Sequence, residues 1–503
     1  MKVKLISVGA FENVGIGRIK SHLTKNGHEC DTIYIENNNF YEKLLWNKKS
    51  KIILGISCLF FEQLTTIESI INYVYEEYVE PFIFIGGPFA SEFPDYLLDR
   101  YSNINVVVLG AGEYTTEFIV NKLIENDKEA IINHKNIYSR NRIQKEKAII
   151  DIVCAPWADR LYISENKTNI AYMIGGSGCP GKCSFCSLSK DEIRSRPVED
   201  IFDEMVSIYS KTNIRSFYFI DISFEGYGNN LDKSRIAKLC DLLINYPIKF
   251  SIVCQFRAET FKNNNDDIQL LRKLKTAGFN NIFMGLEAGN KVDLKLYKKR
   301  ATLEDNVHAL ELFHDAAINI DVGYIFYNPY SNEETLKENY YFLINSKYDT
   351  IENYLSFLKV YPNTSIYHKL LEDGLIKKYE LFNMEIKYLN NNVYNIHIFL
   401  NQYIRNNEKF VQILDILNQH EQAILITSPL LPNYDEIWFS YNELSLTSRK
   451  LCKEYFGKLY IDLDIESCIR NFKEFSNGVI DVSNKMKSLY YKVVKEMIRM
   501  RKY

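Results

Sequence analysis

Gly175-Gly176-Ser177-Gly178-Cys179-Pro180-Gly181-Lys182-Cys183-Ser184-Phe185-Cys186 places three thiols within eight residues, as C-x3-C-x2-C with an aromatic before the last cysteine. A closed structural zinc site takes four ligands, commonly as two pairs. No fourth cysteine is near, and His134 and His308 lie far upstream and downstream. A 4Fe-4S cluster also takes four ligands, so three cysteines leave one iron with an open coordination position. An open position is a reactive one, by the logic that separates catalytic from structural zinc. A zinc knuckle and a chance grouping of buried cysteines are the competing readings. The other seven cysteines (Cys30, Cys58, Cys154, Cys240, Cys254, Cys452, Cys468) are scattered and read as small buried hydrophobes.

In spacing, aromatic and glycine-rich approach, the string resembles the motif of the radical S-adenosylmethionine superfamily. The resemblance implies that Cys179, Cys183 and Cys186 hold a 4Fe-4S cluster and that Phe185 is a contact of the S-adenosylmethionine bound to it. It also implies that the open iron binds the amino and carboxylate groups of S-adenosylmethionine, whose reductive cleavage yields a 5'-deoxyadenosyl radical.

Downstream, strand-like runs at Ser216 to Ile222, Phe250 to Phe256, Asn281 to Leu286, Ile318 to Tyr327 and Tyr354 to Tyr361 alternate with helical segments. With the strand leading into Cys179 they make six, which predicts an open, partial (β/α)6 TIM-like barrel. Ser331-Asn332-Glu333-Glu334 and Thr302-Leu303-Glu304-Asp305 each set a hydroxyl N-cap three residues before a carboxylate. Polar residues at the strand ends are the candidate S-adenosylmethionine contacts. Asp221 and Ser223 resemble the family's acidic end of strand two, Arg257 follows the third strand, and Glu287 in Met284-Gly285-Leu286-Glu287-Ala288-Gly289 resembles its G-x-E-S-G element, with Ala288 for Ser. Tyr361-Pro362-Asn363-Thr364 with Gly374 resembles the family's P-G-T turn. Asn363 replaces the glycine there, and Asn tolerates positive φ.

Upstream, short apolar runs at Val3 to Val8, Thr32 to Ile35, Ile52 to Ser57, Phe82 to Ile85 and Val106 to Leu109 alternate with amphipathic stretches such as Leu64 to Tyr78 and Thr115 to Ile124. Continuous apolar strands separated by helices predict a doubly wound, Rossmann-like parallel sheet, which binds ligands beyond its strands' carboxyl ends. Small residues occupy those ends: Gly9 to Gly17, Ser57-Cys58-Leu59, Gly86-Gly87-Pro88 and Gly110-Ala111-Gly112-Glu113. The S-x-L and G-G elements resemble the cobalamin-binding domain of the methionine synthase type. That resemblance makes Ser57, Leu59, Gly86, Gly87, Gly110, Gly112 and Glu113 the cobalamin-binding candidates. The D-x-H-x-x-G string that supplies a cobalt ligand in many members is absent, as is usual in the radical branch, where cobalt binds without a protein histidine.

The expected organisation is a cobalamin-binding domain over 1–127, a charged irregular linker over 128–167, a radical SAM barrel over 168–375, and a mostly helical domain over 376–503 that caps the active site. The resemblance covers about residues 1–375. The 503 residues, 46% hydrophobic and 25% charged, exclude collagen-like, mucin-like and wholly disordered classes. Lys+Arg 61 against Asp+Glu 64 provides no general electrostatic case for nucleic acid. No run approaches the ~18 apolar residues of a membrane span, which favours a cytoplasmic location. Only Cys452 and Cys468 occur in the tail, too few for an auxiliary cluster, and its basic end from Lys485 to Lys502 reads as a solvated helix face.

Together the resemblances imply a cobalamin-dependent radical enzyme that methylates an unactivated carbon of a small molecule or peptide, fed by a one-electron reductant such as flavodoxin or ferredoxin. Radical rearrangement, cyclisation or epimerisation without a cobalamin methyl donor is the alternative enzyme reading. A cofactor sensor whose tail binds a partner is the non-enzymatic one.

Overall fold

The computed structural model describes residues 2–9, 11–35, 44, 51–141, 146–148, 155–166, 168–188, 192–378 and 384–501. The chain divides into two compact units, 1–173 and 174–503.

Unit 1 is built on strands β1 (Lys2–Val8), β2 (Cys30–Ile35), β3 (Ile52–Ser57), β4 (Phe82–Gly86), β5 (Val106–Val108) and β6 (Ile137–Tyr138), in the order β2-β1-β3-β4-β5-β6. All neighbours are parallel except β5 and β6. The apolar runs lack alternation because helices cover both faces: every residue of β3 is buried. Gly55 stands mid-strand because the Phe84 ring crosses it, and a Cβ there would fall 2.3 Å from that ring. Order reverses between β1 and β3, so a ligand crevice is expected where those two strands end.

Part of the stretch expected to be an irregular linker is regular structure. It holds helices Lys128–Asn133 and Leu161–Asn166 and strand β6, and Ala148 bridges Gly110; strand Ile170–Met173 follows, where a strand leading into Cys179 was expected. Backbone pairing recruits these charged residues despite their weak pattern. Cys154 lies outside the described residues; the other six scattered cysteines are buried and free.

In unit 2, strands Ser216–Phe219, Ser251–Phe256, Phe279–Glu287 and Asn319–Tyr324 lie side by side, in chain order and parallel, each followed by a helix. The sixth expected strand is absent. Thr350 caps a short helix, Ile351–Leu355, by accepting from Asn353 N, and only an isolated bridge, Tyr327 to Phe357, continues the sheet pattern. Thr302 forms its expected capping box with Asp305, whereas at the next helix Asn332, not Ser331, is the cap, paired with Thr335. An Asx cap competes well with serine, and Ser331 is engaged instead by the Asn328 N–H.

The tail forms helices Asn391–Leu400, Glu408–Thr427, Tyr434–Tyr460 and Ile465–Arg501, the last three packed around Leu417, Ile424, Val482, Met486 and Val493. These helices are continuous with the barrel. The Tyr460 hydroxyl donates to Tyr354 O, Tyr340 donates to Lys453 O, and Arg405 donates to Tyr327 Oη at 2.8 Å and Leu355 O at 2.7 Å. Among the described residues no helix is long and apolar enough to cross a membrane.

Candidate functional site

The cysteine string is a loop clamped at both ends. Before it, Gly176–Ser177 pairs with Arg194–Ser195, and Arg196, buried between Asp200 and Glu204, donates to Ile174 O. Gly178 takes φ +87°, a turn few other residues make cheaply. Within the loop, Ser184 N donates to Tyr297 O and its hydroxyl to Leu296 O, while Ile366 N donates to Ser184 O. Phe185 meets the Tyr297 ring edge to face at 5.6 Å.

Gly181 lies in the curve between the thiols: a Cβ there would fall 3.3 Å from Cys179 Sγ and 3.8 Å from Cys183 Sγ. Its N–H donates to Cys179 Sγ. A cavity of about 400 Å³ opens beside Cys179, lined by Lys182, Tyr227, Lys298 and Ser365. Among the described residues no three His, Cys, Asp or Glu side chains converge tightly enough for a single metal ion. The three cysteines share one curved, glycine-relieved loop, and a 4Fe-4S cluster is held by cysteine thiolates.

Glu287 ends its strand at φ +67° and faces Lys299, whose Nζ is 3.4 Å from Oε1 and 3.0 Å from Gly285 O. Burial works against the Lys299 charge, but Glu287 and Cys183 outweigh it and hold its pKa above the usual lysine value. Burial pushes the Cys183 thiol up, and Lys299 opposes that. Lys299 thus links the strand-end carboxylate to the cysteine loop, and no motif pointed to it.

The other candidate contacts hold backbone. Asp221 Oδ2 accepts from Gly175 N at 2.9 Å, and its Oδ1 is buried without a partner. Burial raises this carboxyl to about 7. Ser223 donates to Gly226 O. Arg257 is oriented by Glu225, fully buried, which accepts from its N and Nε at 2.9 Å and from Thr260 Oγ1. Asp221 Oδ1, Glu225 Oε2 and Arg257 Nη1 are left as buried atoms without partners, and such atoms at strand ends suit a polar, zwitterionic ligand. Asn363 takes φ +65°, as its place in the turn requires, and Thr364 caps the helix whose Ile366 N–H holds Ser184.

In unit 1, Asn13 organises the crevice. Its Oδ1 caps helix α1 (Val14–Lys25) through Ile16 N, and its Nδ2 donates to Ser7 Oγ and to Ser57 Oγ, where β1 and β3 end. Leu59 N donates to Gln63 Oε1, and Gln63 Nε2 donates to Val8 O. Gly87, at φ +102°, brings its backbone against Cys58 O, and Gly110 brings its own against Ala148 O. A Cβ at Gly112 would strike Ile19, and Glu113 pairs with Arg18 in the interior. Of the four candidate glycines, Gly86 alone is free of tight contacts, a Cβ there meeting nothing nearer than 3.6 Å. Ser57, Leu59, Gly86 and Gly87 thus meet at one edge, while Gly110, Gly112 and Glu113 serve contacts within the protein.

Residues 173–343 match the family model of the Radical SAM superfamily. The chain carries a radical SAM domain. Domains of this superfamily take a 4Fe-4S cluster and S-adenosylmethionine, and the residues around Cys183 fit both. The chain is similar to the 4'-phospho-dehydrooxetanocin synthase of Priestia megaterium, 25% identical over 58% of this chain and 42% of that protein. It is also similar to the anaerobic magnesium-protoporphyrin IX monomethyl ester cyclase of Cereibacter sphaeroides, 23% identical over 59% of this chain and 50% of that protein. The chain spans about half the length of these curated relatives. Its fold, outside the radical SAM domain as well as within it, is that of the cobalamin-dependent S-adenosylmethionine radical enzyme OxsB, solved with aqua-cobalamin and S-adenosylmethionine bound. The TM-score is 0.74 at 17% identity, over 99% of this chain and 80% of that one.

Proposed function

We propose that this chain is a cobalamin-dependent radical SAM enzyme that methylates an unactivated carbon of a small molecule or peptide, drawing electrons from a donor such as flavodoxin or ferredoxin. The observation that carries it is the pairing, in one chain, of the Lys299-supported cysteine loop with a sheet whose switch point is set by Asn13 and Ser57. Bound there, the cluster and S-adenosylmethionine supply hydrogen-atom abstraction from an unreactive carbon, and cobalamin a transferable methyl group.

The protein's own residues position. Cys179, Cys183 and Cys186 ligate, the Gly181 N–H holds Cys179 Sγ, Lys299 favours the Cys183 thiolate, and Phe185 against Tyr297 fixes the loop. Asp221, Ser223, Arg257 and Glu287 line the strand ends for S-adenosylmethionine. Ser57 and the open backbone at Gly86 admit a large planar ligand, Leu59 and Gly87 shape the same edge, and Gly110, Gly112 and Glu113 hold its far side. The names of the relatives, a synthase and a cyclase, favour cyclisation or rearrangement as a second reading.

Anaerobic reconstitution with iron, sulfide and hydroxocobalamin tests the proposal. About four irons and one corrinoid per chain are expected, with deoxyadenosine and a methylated product on turnover. Iron without corrinoid removes the methyltransferase reading. Deoxyadenosine without a methylated product favours the cyclase-like one, and undiminished deoxyadenosine from Cys183→Ala removes the cluster assignment.

A further inference from the structure

The cavity of about 400 Å³ beside Cys179 opens to solvent, for Lys182, Glu192, Tyr227 and Lys298 on its wall are all exposed. Lys298 belongs to Lys295-Leu296-Tyr297-Lys298-Lys299-Arg300, four cations in six residues. That segment is bonded to the cysteine loop: Tyr297 O accepts from Ser184 N at 2.8 Å, and Leu296 O from the Ser184 hydroxyl at 2.8 Å. Lys299 turns inward to Glu287, whereas Lys295, Lys298 and Arg300 stay exposed. The cysteine site is thus bordered by a basic stretch of surface.

These cations lack partners. Among the described residues, Lys182, Lys295, Lys298 and Arg300 have no ion pair and no side-chain hydrogen bond. Their neighbours are paired, Lys291 with Glu304 and Lys299 with Glu287. The whole chain carries a formal net charge of -3, so unpaired cations here are not the overflow of a basic protein. One carboxylate, Glu192, lines the same cavity and leaves the sign of the surface positive.

A charge run is ordinarily a solvated face. The backbone at Lys298 argues for more. Helix Lys291–Leu296 is capped by Tyr297, with Lys298 N donating to Lys295 O and Lys299 N to Leu294 O, the arrangement in which the residue after the cap turns left-handed. Lys298 takes φ +51° there, where glycine is cheapest. A lysine kept at a glycine position, unpaired and on the wall of the cavity beside Cys179, is held for its side chain.

The exposure of these charges decides what they meet. A pocket that grips a small anion buries its donors, whereas exposed charges around an opening steer a large partner toward it. We infer that the surface carrying Lys182, Lys295, Lys298 and Arg300 docks an acidic one-electron carrier protein of the flavodoxin class. One electron passes from carrier to cluster, the carrier oxidised by one and the cluster reduced by one, with no bond made or broken. The inference rests on the radical SAM reading, and supplies the partner's charge and its place of docking.

The test follows reduction of the anaerobically reconstituted full chain by stopped-flow absorbance, with a flavodoxin of strongly negative net charge and, separately, with reduced methyl viologen, a small cation. Reduction by flavodoxin is expected to slow about tenfold between about 20 and about 300 mM salt. At low salt it should slow about tenfold in a Lys295→Glu, Lys298→Glu, Arg300→Glu variant, which viologen reduces at least as fast as wild type. Lys298→Gly eases the turn and removes one charge, so it is expected to raise Tm and still slow flavodoxin about threefold. A flavodoxin rate indifferent to salt and to both variants overturns the docking surface. Equal losses with both reductants overturn it too, by placing these cations in the surroundings of the cluster itself. Bulk RNA bound more tightly than flavodoxin, and lost in the same variants, gives the surface to nucleic acid instead. A lower Tm in Lys298→Gly makes that lysine a structural residue and removes it from the surface. A wild-type chain that retains no iron, or that viologen does not reduce, refutes the radical SAM reading, whereas iron and viologen reduction without charge dependence toward flavodoxin refute the docking alone.

Discussion

Lys299 reaches Glu287 across the end of a barrel strand, its ammonium 3.4 Å from the carboxylate and within the field of the Cys183 thiol. Both side chains are largely buried. Removing one partner of a buried pair leaves the other uncompensated, at a cost of about 3 kcal/mol or more. Lys299→Met is expected to lower the unfolding midpoint in denaturant and, in the same preparation, the iron retained after desalting. Adding Glu287→Gln should recover most of the stability and not the iron.

Asn13 joins a helix cap to the crevice of the N-terminal sheet. Asn13→Ala removes the cap on Ile16 N and the bonds to Ser7 and Ser57, costing about 1–2 kcal/mol. If the crevice holds cobalamin, corrinoid bound after reconstitution falls while iron per chain stays at the wild-type value. An unchanged corrinoid content places the cofactor's contacts elsewhere.

Asn363 holds φ +65° one residue before the Thr364 cap. Asn363→Gly is expected to be neutral in stability and Asn363→Val to cost about 1–2 kcal/mol, since a β-branched side chain resists that conformation. Because Ile366 N in this helix holds Ser184 O, the valine variant should also lose cluster more quickly on exposure to air, followed by the decay of its visible absorbance.

Glu421 and Glu352 sit above the ordinary glutamate value when folded, at about 8 and about 7. Between pH 4.5 and 8 the folded chain therefore holds protons that the unfolded chain has released, and the pair's contribution to stability falls as pH rises through that window. The charged and titratable groups acting on the pair are Asp321, Asp415 and Tyr441. The ligand-free Glu352→Gln, Glu421→Gln double variant should lose less stability than wild type between pH 5 and 8 in paired urea titrations. A parallel pair of curves would mean that both acids are ionised and compensated.

What the sequence made legible was local. The three cysteines, the strands of both sheets, the Thr302 box and the positive φ at Asn363 all follow from spacing or residue type within a few positions. Lys299, Asn13, Glu225 and Arg196 escaped notice because their importance lies in partners set by the fold. Lys299 follows a strand by twelve residues, and Asn13 meets Ser57 only because β1 and β3 are neighbours. Tyr354 to Tyr361 resembled a strand because Tyr354 and Leu358 are buried, Tyr354 against Phe456 and Tyr460 of the tail, which a pattern of apolar residues does not distinguish from burial in a sheet.

Arg405 has a further consequence. Its guanidinium lies 4.1 Å above the Phe357 ring while donating to Tyr327 Oη and Leu355 O, in a segment of π-helix that joins two tail helices. The wider turn there sets the direction in which helix Glu408–Thr427 departs, and so which of its residues meet the barrel strands. Inserting or deleting one residue at 401–405 would rotate that helix by about 100°, exchanging Glu421 and Gln422 for other side chains while the cysteine loop stayed as it is. A change of register in this short segment would thus alter what faces the barrel strands without any substitution in the cysteine loop.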